Sequence, residues 1–183
     1  TSTDCSAIRR FSCNGPPPLP ADLPMNLHRL LQEREAASRP VRVVLIGAGK
    51  FGSMYLSQAR RTPGIHLLAV ADLAPDRARA SLLRVGWEPG RLGASGLDDA
   101  LKARTTFITD DAAAAIAHPA TEVVIDATGS PSAGIGHVLA CCAAGKHIVM
   151  VNVEADALAG PILARMARQA GIVYSLAYGD QPA

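Results

Sequence analysis

Aromatic side chains are scarce in this sequence, at 4% of 183 residues. That scarcity argues against a single-stranded nucleic-acid binder, which needs stacking platforms for successive bases. Strong charge of one sign is missing too. The formal net charge is +2, too small to imply a polyanionic partner, and basic residues cluster no further than pairs such as Arg9-Arg10 and Arg60-Arg61. Lysine is nearly absent: Lys50, Lys102 and Lys146 are the only lysines among 18 basic residues, a compositional habit rather than a functional signal. No apolar run approaches the roughly 20 residues that span a bilayer. The first residues lack the basic, then apolar, then small-residue order of a signal peptide. The four cysteines form no CxxC. Cys5 and Cys13 fall in an irregular segment and Cys141-Cys142 are adjacent in a predicted helix, which reads as free thiols in a reducing compartment. The expectation is a cytoplasmic protein without a nucleic-acid or membrane partner.

What is present is ordinary globular material, 49% hydrophobic and 19% charged, with Ala, Leu, Val and Gly carrying most of the apolar weight. A chain of this length can bury one sizeable core. Residues 1–24 read as an irregular leader, because Pro16-Pro17-Pro18 and Pro20 deny both a helix and a central strand. The first residue is Thr rather than Met, which leaves open a leader or a fragment. Residues 25–183 read as one domain, opened by a helix from Asn26, a plausible N-cap, to Ser38.

From Val41 the chain alternates. Val41–Ile46 is a short, largely β-branched run, the mark of a strand buried on both faces. A helix is expected from about Gly49 to Arg61, and a second buried strand over Ile65–Ala71. Pro75 suits the first turn of a helix running to about Val85. Residues 86–104 are broken by glycines, with Asp98 as a possible cap of a short helix. Thr105–Ile108 is a weak third strand, and Thr109-Asp110-Asp111 would cap the alanine-rich stretch 112–117. Glu122–Ala127 is a strong fourth strand. Ser132–Ala144 is a helix closed by Gly145, His147–Val151 a fifth strand, and Gly160-Pro161 the expected start of a helix to about Ala170. Ile172–Leu176 is the sixth strand. Strands separated by helices imply right-handed crossovers and a parallel sheet. With a glycine loop after the first strand, this reads as an α/β doubly wound fold of order 3-2-1-4-5-6.

The loop is Gly47-Ala48-Gly49-Lys50-Phe51-Gly52. GxGxxG alone is weak, but here it follows a buried strand, opens a helix and precedes an acid, Asp72, at the end of the next strand. Gly47 would permit the tight turn, Gly49 the close approach of a pyrophosphate, and Gly52 the packing of helix on strand. The helix N-terminus would offer N–H groups to phosphate. These features point to a Rossmann-type dinucleotide site. Asp72 should accept hydrogen bonds from the adenosine ribose and repel a 2′-phosphate, favouring NAD over NADP, although Arg77 or Arg79 could still reach a phosphate. A helix N-cap is the plainer role for Asp72. Thr128 and Gly129, beside the point where strand order reverses, are expected near the nicotinamide-side ribose. Asn152 could bond the nicotinamide end and Glu154 could touch substrate, both placed at the end of the fifth strand. His28, His66, His118 and His137 lie in unrelated contexts without metal-site spacing, and His147 reads as structural. No Ser/His/Asp constellation can be assembled, so no catalytic residue and no metal ligand is assigned.

Two stretches, Val43–Gly52 and Val123-Val124-Ile125-Asp126-Ala127-Thr128-Gly129, resemble the nucleotide domain of homoserine dehydrogenase-like oxidoreductases. Gly145–Asp156, with its Asn152-Val153-Glu154-Ala155-Asp156, together with Gly160-Pro161 and Tyr174–Pro182, is similar to the branch whose members carry a C-terminal SAF-type domain, among them deoxyxylulose-phosphate reductoisomerase-like enzymes. The resemblance covers about residues 40–182. It implies an NAD(P)-dependent oxidoreductase whose substrate and oligomerisation domain is missing here, with homo-oligomer formation through that domain. Homoserine dehydrogenases carry Asn-Lys after the fifth strand and the glucose-fructose oxidoreductase relatives Glu-Lys-Pro. Here Val153 and Glu154 follow Asn152, so the family's catalytic lysine has no counterpart at this position. The expected function is hydride transfer between nicotinamide and a small hydroxy acid, polyol or sugar phosphate, with Asp180 as a further substrate-site candidate. The alternatives are a regulatory module that binds NAD(H) without turnover and an S-adenosylmethionine-dependent methyltransferase, the latter opposed by the loop spacing and the strand around His147–Asn152.

Overall fold

The central strands are runs of residues too apolar to leave either face in water. The computed structural model describes residues 26–177; the expected leader and Asp180 lie outside the described residues. β1 (Val41–Ile46), β2 (Ile65–Ala71), β3 (Phe107–Thr109), β4 (Val123–Asp126), β5 (His147–Met150) and β6 (Tyr174–Leu176) form one sheet of order β3-β2-β1-β4-β5-β6. Every neighbouring pair is parallel. The doubly wound α/β reading therefore holds.

Helix α1 (Leu27–Ala36) precedes the sheet, and the helices between strands are α2 (Lys50–Ala59), α3 (Pro75–Arg84), α4 (Leu97–Ala103), α5 (Ala112–Ala117), α6 (Pro131–Ala144) and α7 (Val153–Gln169). Strand residues alternate between two cores. Val44 and Ile46 of β1 join Val124, Ile148 and Met150 in the core covered by α5, α6 and α7. Val43 and Leu45 face the opposite way, into a core with Leu56 of α2, Leu82 of α3 and Trp87. The Trp87 indole donates to the Leu56 carbonyl at 3.0 Å, which satisfies its one polar atom in that core.

Capping follows the sequence closely. The Asn26 side chain accepts from the Arg29 N–H and caps α1. Gly145, at φ 67°, closes α6 in the left-handed conformation that glycine adopts without strain.

Several boundaries differ from expectation, and three of them have a clear local reason. α7 begins at Val153, not at Gly160, because Asn152 caps it by accepting from the Ala155 N–H. Pro161 thus sits inside the helix, which continues because Ala155, Leu163 and Ala167 pack along one buried face. β3 starts two residues late. The Thr106 hydroxyl is spent on the Leu67 carbonyl at 2.8 Å and its N–H on the Arg91 carbonyl, so that residue is drawn out of the ladder. Gly96, not Asp98, is the N-cap of α4, and Asp98 stands in its first turn. The 86–104 stretch also contains a short 3₁₀ turn, Pro89–Leu92, anchored by a fully buried Leu92.

Candidate cofactor site

β1 delivers the chain to the carboxyl edge of the sheet at Gly47, where three glycines meet three different constraints. Gly47 has φ +93°, and a Cβ there would stand 2.8 Å from the Ala127 carbonyl oxygen at the end of β4. At Gly52 the backbone of α2 lies against that of the loop itself, so that a Cβ would overlap the Gly47 carbonyl. Gly49 is the opposite case. A Cβ there would meet nothing within 4 Å. Gly49 is also the N-cap of α2 and has no side chain to satisfy the helix's first N–H groups. Ala48 is buried, while Lys50 is exposed and Phe51 half-buried in the first turn.

Asp72 follows β2 and reaches back to the loop. One carboxylate oxygen accepts the Ala48 N–H at 2.8 Å, and the other accepts the Ala74 N–H at 2.9 Å. Asp72 is not the N-cap of α3, a position held by Ala74. The carboxylate holds the glycine loop against the second strand and still has lone-pair capacity for a further donor. The Arg77 guanidinium stands 3.5 Å away and is largely exposed. Arg79 is directed elsewhere, donating to the Leu92 carbonyl at 2.8 Å. Of the two arginines, only Arg77 borders the cleft.

That cleft has a volume of about 450 Å³. Gly47, Gly49, Asp72, Thr128 and Gly129 line it, and so does His137. Beneath its β4 side lies a connected polar network. Asp126, the last residue of β4, is fully buried. One of its oxygens accepts the Thr128 N–H at 2.8 Å and the Thr128 hydroxyl at 2.6 Å. The other bonds the His137 Nδ1 at 3.0 Å. Asn152, only 2% exposed, donates from its amide to the Thr128 Oγ1 at 3.2 Å and to the Ser130 carbonyl at 2.8 Å. Its side-chain oxygen is the α7 cap already described. Gly134 makes this arrangement possible, since a Cβ there would lie 2.7 Å from the Asn152 amide nitrogen and 3.1 Å from Asp126.

The sheet edge thus gathers Gly47–Gly52, Asp72, Thr128 and Gly129. Asn152 lies just below, its amide nitrogen bracing the β4–α6 turn and its oxygen capping α7. Glu154 stands apart, exposed in the first turn of α7 and outside the cleft lining. The Asp126–His137 pair escaped the sequence reading, where no histidine found a partner. One signal was available: an Asp ending a buried strand requires a buried partner, and His137 lies on the helix that follows.

The bracing role of Asn152 makes a direct prediction. Asn152→Ala removes the α7 cap and strands the Ser130 carbonyl, so urea denaturation should show a loss of about 1–3 kcal/mol; an unchanged midpoint would show that the network carries no stability.

Comparison with known proteins matches this arrangement to a family. Residues 47–175, more than half of the chain, match the family model described as homoserine dehydrogenase, NAD binding domain. No curated protein matches the sequence. Among solved structures, a homoserine dehydrogenase from Thiobacillus denitrificans is 21% identical with a TM-score of 0.57, over 75% of this chain and 29% of that one. An NAD-binding oxidoreductase from Klebsiella pneumoniae is 22% identical with a TM-score of 0.54, over 76% of this chain and 34% of that one. Biliverdin reductase from Synechocystis, solved with biliverdin and NADP+, is 19% identical with a TM-score of 0.54, over 75% and 37%. At such identities the likeness shows the fold, and this chain spans about a third of the length of those proteins. The glycine loop, the strand order and the family match lead to one assignment: the chain belongs to the homoserine dehydrogenase NAD-binding domain family.

Proposed function

We propose that this domain holds NAD or NADP across the carboxyl edge of its sheet and serves the hydride-transfer reaction of an oxidoreductase. The observation that carries the reading is the contrast within the loop. Gly47 and Gly52 are closed by backbone, whereas Gly49 opens onto the cleft at the uncapped start of α2. The residues present fit a dinucleotide. A pyrophosphate requires close backbone approach and free N–H groups at a helix N-terminus, and both are found together at Gly49 and Lys50.

When bound, the cofactor supplies a nicotinamide carbon that gives or takes a hydride. The chain's own residues bind and orient it. Gly47–Gly52, with Ala48, Lys50 and Phe51 in the loop backbone, cradle the diphosphate, and Asp72 takes a ribose hydroxyl with its remaining acceptor capacity. Thr128 and Gly129 border the nicotinamide-side ribose, their positions held from below by Asn152. Asp72 favours NAD, because a 2′-phosphate would face its carboxylate, while Arg77 is the counterweight that admits NADP. His137 is the group best placed to move a proton. Its Nδ1–H is held by Asp126, which leaves Nε2 as the ring's free nitrogen in a residue that lines the cleft. The substrate class suggested by the Asn152-Val153-Glu154 stretch is a small hydroxy acid, polyol or sugar phosphate, as in the SAF-domain branch. Glu154 and Asp180 are its candidate contacts, in a soluble cytoplasmic enzyme whose oligomer contacts involve a further domain.

Two substitutions test the binding reading. Gly49→Ala places a methyl in the open space. It should leave the melting temperature within a degree or two yet weaken NADH binding, followed by nicotinamide fluorescence, by at least about tenfold; unchanged affinity would move the pyrophosphate away from Gly49. Asp72→Asn should shift the ratio of NADH to NADPH dissociation constants toward NADPH several-fold, and a constant ratio would remove Asp72 from cofactor selection.

A further inference from the structure

The opposite edge of the sheet carries a second cavity, of about 190 Å³, lined by Arg34, Arg39, Arg42 and Arg104 with Glu122 as its only acid. These arginines come from four separate places: α1, the turn before β1, β1 itself, and the C-cap of α4. His66 lines it as well, and so does Ser38. A smaller neighbouring cavity shares His66 and Arg104 and adds Arg91 and Glu35. Together five guanidiniums face two carboxylates.

Those carboxylates are already engaged. Glu122 stands 3.2 Å from Arg34 and 3.3 Å from Arg42, and it also accepts the Arg42 N–H at 2.9 Å. Glu35 is 3.7 Å from Arg104 and accepts the Gly64 N–H. The buried Arg42 Nε is the atom that faces Glu122 in their ion pair, at a geometry that makes no hydrogen bond. Among the described residues, Ser38 and Arg104 are the two non-glycine positions with positive φ, at 55° and 53°. Both line this cavity. The local field is also visible at His66. Its pKa lies below the usual imidazole value, mainly through burial, opposed by its bond to the Thr105 carbonyl, and lowered further by Arg104, Arg91 and Arg42.

We propose that this cavity is a phosphate-class oxyanion site, remote from the cofactor cleft and independent of the function assigned to it. A tetrahedral oxyanion accepts several charge-assisted hydrogen bonds at once. It suits a cavity lined by guanidiniums from several different elements. It would offset the mutual repulsion in a cavity lined by four arginines and one acid. Orthophosphate and the phosphate group of a small monoester share this chemistry.

The test is an NMR titration of the whole chain, at constant ionic strength against chloride, with orthophosphate in one arm and glycerol 3-phosphate in the other. Saturable shifts of the Arg39 and Arg42 amides and of the His66 ring are expected. A steeper response to one arm identifies the free ion or the monoester. Arg39→Gln/Arg104→Gln should weaken binding at least tenfold and leave NADH affinity unchanged. Should that pair fail to fold, Arg39→Gln alone, at an exposed side chain, should still weaken it several-fold. Shifts confined to Gly47–Phe51, a linear response without saturation, or wild-type affinity in the folded variants would overturn the proposal.

Discussion

The contact between Gly52 and the Gly47 carbonyl determines how near α2 can lie to the end of β1, and the cofactor cleft depends on that distance. A single methyl at Gly52 would push the helix N-terminus off the sheet edge. A side chain at Gly47 would collide with the end of β4 and distort a turn that requires φ +93°. With both positions closed, the space at Gly49 is the one place in the loop where a ligand's backbone-hugging group can enter. Asp72 locks the geometry from the β2 side by accepting the Ala48 N–H. The loop is therefore held on both flanks before any ligand arrives.

The other wall of the cleft rests on a buried carboxylate. Asp126 ends β4 inside the α5–α7 core, and its hydrogen bonds to Thr128 and His137 meet the cost of burying it. Asn152 ties the same turn to α7. One network thus positions the turn that borders the cleft, caps α7 and orients an imidazole at the cleft.

Legibility in the sequence followed the physics of each feature. The bounds of β1 and β2 could be read directly, because each apolar run stops at a residue that ends it, Gly47 after the first and Asp72 after the second. The helix ends at Asn26 and Gly145 were equally plain, since capping is local chemistry. The start of α7 was hidden by Pro161, an apparent helix breaker whose effect is overridden by a cap and an apolar face many residues apart. Asn152 looked like a ligand contact because its type and place fit one; its partners, Thr128 and Ser130, are distant in sequence and visible only once β4 and β5 pair. The Asp126–His137 bond and the convergence of arginines at the other edge are likewise tertiary facts. Chemistry written within a few residues was readable, and chemistry assembled across crossovers was not.

The sheet has two ends of different character, a glycine-lined edge proposed to hold the dinucleotide and an arginine-lined edge at the strand starts. Mapping amide shifts on adding NADH tests the assignment of the first most directly. Saturable one-to-one binding is expected, with the largest shifts at Gly47–Phe51, Asp72 and Thr128–Ser130 and little change around Arg39–Arg42. Absence of saturable binding, or shifts gathered at the arginine edge, would contradict it.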